Sequence, residues 1–206
     1  MTTHKHIEQI IENTFEVLKE VHSKQKEGYN QYPSGNKSRI IFPQYSKEYR
    51  NGETRLSEQE LRFIFVEQFN KYCDNKLSWF YSVETPTEHK YIFSERGVKN
   101  SNPNMTDNKG EGQSAMVDFA IHDETLKRIA LIEFKALNPH KLSFIKDFIK
   151  LNAEPVENTY FIMYIKSYDS GTINNLKLKV KSSIGKAKFY CYDLESFNRI
   201  DVEILK

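Results

Sequence analysis

Two strongly apolar segments joined by a short polar link constrain this chain most: AMVDFAIH (115–122), DETLKR (123–128) and IALIEFKA (129–136). Runs this apolar and rich in β-branched side chains read as strands, and the link between them reads as a hairpin turn. A lone hairpin is marginal in water and needs further strands and a covered face. The neighbouring sequence supplies both. LSWFYSVET (77–85) predicts a strand closed by Pro86. NTYFIMYIK (158–166) predicts a central strand from its near-continuous apolar run, and KFYCYDL (188–194) a further one. KLSFIKDFIKLN (141–152) sets Leu142, Ile145, Phe148, Ile149 and Asn152 at helical spacing. LKLKVK (176–181) alternates like a strand, whereas Ile173, Leu176, Val180 and Ile184 recur like a helix, and both readings stand.

Ahead of these lie two further helices. Residues 4–25 carry Ile7, Ile10, Ile11, Leu18 and Val21 on one stripe, as expected for an amphipathic helix that docks on the domain or pairs with a second copy. Ser57 with Glu60 three residues later gives a capping-box start to LSEQELRFIFVEQFNKY, with Leu61, Ile64, Phe65, Gln68 and Phe69 inward. Residues 27–52 form an irregular connector with Tyr29, Tyr32, Tyr45 and Tyr49 among Lys37, Arg39, Lys47 and Arg50, and 94–114 a long polar loop. The expected organisation is a helix and connector over 1–52 and an α/β domain over 53–206. That domain holds a mixed sheet of four or five strands flanked by helices.

Bulk properties exclude several classes. Of 206 residues, 38% are hydrophobic and 28% charged, a globular balance, and no run reaches the roughly 18 apolar residues of a membrane span. Glu8, Gln9 and Glu12 interrupt any leader-like apolar run, and Cys73 and Cys191 have no metal-ligand spacing, so a reducing, cytoplasmic setting is expected. A formal charge of +2 gives no global attraction to nucleic acid. Locally, Lys166, Lys177, Lys179, Lys181, Lys186 and Lys188 face only Asp169 over 166–188. That run reads either as a solvated face or as a surface that follows phosphates.

The chemistry resides in the hairpin. Alternation places Val117, Phe119 and Ile121 on one face and Met116, Asp118, Ala120 and His122 on the other, with Glu133 and Lys135 together on the partner strand. On an exposed strand such charges would form a surface ion pair worth at most about 1 kcal/mol. Here their neighbours belong in a core, where an uncompensated charge costs several kcal/mol. A divalent cation and a phosphate would compensate all three, with Asp118, Glu133 and the Phe134 carbonyl as oxygen ligands and Lys135 offsetting developing negative charge.

Asp118, fourteen residues and then Glu133-Phe134-Lys135 resembles the PD-(D/E)XK nuclease superfamily, the restriction-endonuclease-like fold. Val117 stands where the name-giving proline would be. The resemblance spans about the central half of the chain and implies an αβββαβ core preceded here by an N-terminal helical extension. It further implies a magnesium ion, with manganese as a substitute, and hydrolysis of phosphodiester bonds in DNA more than in RNA. By the same resemblance, Glu60 or Glu67 on the preceding helix joins the site, Glu60 being favoured of the two although its plain capping role is an equal reading, and Lys150 or Lys146 on the following helix meets phosphate. Lys177, Lys179 and Lys181 are the further candidates for nucleic-acid contact. The alternative functions are a catalytically silent nucleic-acid-binding subunit of a larger complex and an interaction protein paired through its N-terminal helix.

Overall fold

The computed structural model describes residues 2–27, 38–43, 54–74, 76–91, 113–181 and 185–200. The tyrosine-rich part of the connector, the 94–112 part of the long loop and Ile184 lie outside them. The elements are α1 (Thr3–Glu27), α2 (Glu58–Cys73), β1 (Phe80–Tyr91), β2 (Gln113–His122), β3 (Arg128–Ala136), α3 (Lys141–Ala153), β4 (Asn158–Ile165), α4 (Ser170–Lys181), β5 (Lys188–Asp193) and β6 (Arg199–Ile200). The chain is α/β, with one mixed sheet of six strands in the order β1-β2-β3-β4-β5-β6. Strand β2 runs antiparallel to both β1 and β3, β4 pairs parallel with β3 and β5 parallel with β4, and β6 returns antiparallel to β5. The sixth strand is only two residues long, too short for a periodicity to mark it.

Each face of the sheet carries a core. Phe119, Ile121, Ile132, Phe134 and Ile162 pack with the α1 stripe (Ile7, Ile10, Ile11, Leu18) and with Leu61, Ile64, Phe65 and Phe69 of α2. Ala120, Leu131, Phe161 and Met163 pack with Phe144, Phe148 and Leu151 of α3 and Ile173, Leu176 and Val180 of α4. Each large side chain removed from water here contributes about 1.5–3 kcal/mol. The α1 stripe is thus covered by its own chain. Polar contacts fix its outer edge: Tyr190 donates to Glu8 at 2.8 Å and Tyr192 donates to Glu12. No helix among the described residues is long and apolar enough to cross a membrane.

One open reading is settled and three expectations are corrected. Residues 176–181 belong to a helix, because burial follows Ile173, Leu176 and Val180 rather than alternate residues. Pro86 does not close β1, which runs on to Tyr91. As an edge strand β1 needs no outward N–H at that position, and the buried Glu154 carboxylate accepts the Glu88 and His89 N–H groups at 2.7 and 3.1 Å where the register shifts. The buried stripe of α3 is Phe144, Asp147, Phe148, Lys150 and Leu151, not the stripe that starts at Leu142. Finally, strict alternation in β2 breaks at Asp118. Val117 joins Ala120 in the core under α3, while Phe119 joins the core under α2.

Candidate active site

The break in β2 creates the site. Strands β2 and β3 pair from His122 up to Phe119, which lies opposite Ile132, and one more step of that register sets Asp118 opposite Glu133. There the ladder gives way to a side chain: Asp118 Oδ2 accepts the Phe134 N–H at 2.8 Å. On the other side of β2, Glu84 of β1 has φ 46°, a left-handed conformation unusual for a non-glycine residue inside a strand. Arg62 of α2 spans both irregularities, with Nη2 2.7 Å from Asp118 Oδ1 and Nη1 3.0 Å from Glu84 Oε1.

Glu133 is only 1% exposed. Its Oε1 lies 2.5 Å from Lys150 Nζ, and the same ammonium is 2.8 Å from Asp147 Oδ1 and donates to the Met116 carbonyl at 2.7 Å. The other oxygen of Asp147 lies 3.0 Å from Lys135 Nζ, which also donates to the Phe134 carbonyl at 3.0 Å and stands 3.7 Å from Glu58 Oε2. One buried carboxylate therefore serves two lysines. Although both are ion-paired, Glu133 Oε1 and Asp147 Oδ2 receive no well-directed hydrogen bond, and neither does buried Arg62 Nε give one.

The electrostatics follow from this geometry. Burial, then the charges of Asp147 and Asp118, push the Glu133 carboxyl well above the usual carboxylate range, and Lys150 offsets only part of the shift. Burial likewise raises Glu58. For Lys135 and Lys150 burial opposes the charged form, but the surrounding carboxylates outweigh it and hold both ammonium groups protonated above the ordinary lysine value. Five carboxylates (Glu58, Glu84, Asp118, Glu133, Asp147) meet three cations (Arg62, Lys135, Lys150), a formal excess of two negative charges.

That excess, with hard oxygen donors on Asp118, Glu133 and the Phe134 carbonyl, fits a magnesium ion in kind, since magnesium takes one or two protein carboxylates and completes its shell with water and phosphate. In the observed arrangement, each of these groups already has a protein partner: Arg62 and the Phe134 N–H for Asp118, Lys150 for Glu133, and Lys135 for the Phe134 carbonyl. Among the described residues no three His, Cys, Asp or Glu side chains converge tightly enough to hold a metal by themselves. Asp147 and Lys150 of the cluster line a cleft of about 430 Å³ together with Met116, His140, Ser143 and Lys146, among others.

Asp118, Glu133 and Lys135 thus come together, with Phe134 between them. Glu60 does not join them. Its carboxylate turns back to accept the Ser57 N–H at 3.1 Å and the Ser57 hydroxyl, which completes the capping box, and Glu58 faces Lys135 instead. Glu67 is half-buried, with an Oε2 that has no hydrogen-bond partner. Lys150 is consumed inside the site. Lys179 is also buried, donating to Asn138 Oδ1 and to the Pro139 carbonyl, so neither ammonium is presented to an incoming phosphate. Lys146 lines the cleft, Lys177 is half-buried and Lys181 exposed on α4. His122 is held by Ser82 and the Leu126 carbonyl, and His140 caps α3. Sequence reasoning missed Glu58, Arg62 and Asp147. The one available signal was a charged Asp147–Lys150 pair, three residues apart, inside the Phe144, Phe148 and Leu151 stripe. Comparisons with family models, curated proteins and solved structures gave no match to this chain.

Proposed function

We propose that this chain is a magnesium-dependent nuclease of the PD-(D/E)XK type that hydrolyses phosphodiester bonds, with DNA as the favoured substrate. One observation carries the reading: two facing acids and a lysine meet, with an excess of negative charge, at a break between strands beside an open cleft. The order helix, three strands, helix, strand from Glu58 to Ile165 supports the restriction-endonuclease-like fold.

Asp118, Glu133 and the Phe134 carbonyl would hold the ion, which when bound polarises a phosphate and acidifies a water. Lys135, fixed by Asp147 and kept protonated, supplies a permanent positive charge where a phosphate oxygen gathers charge. Arg62 holds Asp118 in place through one nitrogen while Glu84 holds Arg62. Lys146 in the cleft wall, and Lys177 and Lys181 on α4, are the lysines proposed to meet a phosphate backbone.

The test is purified chain with manganese or magnesium against linear, circular and single-stranded DNA and against RNA. Metal-dependent cleavage that disappears in Asp118→Asn and Glu133→Gln supports the proposal; an unchanged rate in either variant overturns it. A second reading, a nucleic-acid-binding subunit without turnover, draws on the internal partner that each candidate ligand already has. Retarded migration of DNA or RNA with no cleavage under any metal would favour that one.

A further inference from the structure

Among the described residues Lys135, Lys150, Lys179 and Lys186 are tied by their ammonium groups to main-chain oxygens, but they differ in kind. Lys179 and Lys186 are held by neutral oxygens, those of Asn138 and Pro139 and those of Glu154 and Val156 respectively. Lys150 is held by two carboxylates and one carbonyl: Glu133 Oε1 at 2.5 Å, Asp147 Oδ1 at 2.8 Å and Met116 O at 2.7 Å. An ammonium has three donors, so its coordination is complete. It sits on the same Glu133 oxygen that lacks a well-directed hydrogen bond.

We infer that Lys150 is a built-in counter-ion at Glu133 that a divalent cation must displace, so that metal loading of this site is an exchange of one cation for another. The inference rests on the metal-dependent reading above. The surroundings permit the exchange. On leaving Glu133 the ammonium keeps Asp147 and the Met116 carbonyl, so it is never left buried and bare, the situation that makes a broken buried pair costly. The cleft lined by Lys150, Asp147 and Lys146 gives it access to water. Asp147 remains as the anchor, and because its second oxygen holds Lys135, that lysine stays in place during the exchange. Lys150 thereby keeps Glu133 compensated whenever metal is scarce, and it sets the metal concentration at which the site fills.

The experiment uses the full chain and manganese alone. Calorimetry should give about tenfold tighter manganese binding in Lys150→Gln, which keeps a hydrogen-bond donor for Asp147 and Met116 but removes the competing charge, than in the unmodified chain. Asp118→Ala should lose binding. A second measurement needs no variant: acetylation of Lys150, followed by mass spectrometry, should accelerate about fivefold or more on addition of manganese while Lys179 stays unchanged. Manganese binding by the unmodified chain, with Lys150→Gln no tighter and Lys150 labelling unmoved, would overturn the exchange and leave the nuclease reading intact. No binding to either chain at millimolar metal would overturn both. If Lys150→Gln does not fold, the labelling result on the unmodified chain decides.

Discussion

Asp118 Oδ2 accepts the backbone N–H of Phe134 at 2.8 Å, so the acid on β2 is positioned by the main chain of the strand that carries Glu133. A carboxylate has replaced a carbonyl in the ladder, and that replacement lets β2 change face at this residue. Asp118→Asn keeps an oxygen for Phe134 but gives up the charge facing Arg62. The expected result is a stability loss of about 1–2 kcal/mol in urea unfolding, with cleavage reduced at least about a hundredfold. Asp118→Ala removes both contacts and should cost about 2–4 kcal/mol.

Lys135 touches Asp147, Glu58 and the Phe134 carbonyl. Lys135→Ala leaves those oxygens less compensated, so about 1–3 kcal/mol of stability should go with it, while circular dichroism stays that of the folded chain. Cleavage should fall below detection with manganese affinity little changed. Full cleavage in this variant would remove Lys135 from the mechanism.

The capping box separates Glu60 from the site. Glu60→Ala should lower stability by about 1 kcal/mol through the loss of its contacts with Ser57, with the cleavage rate per folded molecule unchanged. Glu58→Ala, two residues earlier, should alter cleavage because it faces Lys135. The reverse pattern, activity lost with Glu60 and kept without Glu58, would restore the sequence expectation.

Burial, then the charge of Asp74, raises the Cys73 thiol from an ordinary 9.0 to about 11. The folded chain therefore keeps a proton that the unfolded chain releases between those values. By linkage this contribution is fully present below about pH 9 and is lost as pH rises through about 11. Burial raises Tyr91, Tyr160 and Tyr164 as well, in the same sense. Urea midpoints should thus fall between about pH 8 and about pH 10.5, and Cys73→Ala should flatten part of that slope. A midpoint rising over the interval would contradict the sign.

Legibility in the sequence tracked apolar regularity. The strands around Asp118, Glu133 and Ile162 and the helix after Ser57 are readable because burial there coincides with hydrophobic pattern or capping chemistry. What escaped reading breaks that coincidence. Asp147 and Lys150 are buried by pairing with charges from another element, so a stripe drawn from apolar residues alone rotates α3 to the wrong side. The turn of β2 at Asp118 depends on Glu84 and Arg62, which are distant in sequence. The continuation of β1 past Pro86 depends on Glu154, more than sixty residues away. Charge pairing at a distance leaves no periodic trace.

The tyrosine contacts from β5 to α1 join Glu8 and Glu12 to residues 182 and 180 positions later. During synthesis the first helix therefore leaves the ribosome long before the strand that anchors it exists. Its apolar stripe has only α2 and the earlier strands for cover until that strand arrives. Completion of this fold waits on its latest strands, and so long a closure favours slow folding. A chain stalled before Tyr190 and Tyr192 would hold α1 loosely, and its Ile7, Ile10 and Leu18 face is where a chaperone would find it.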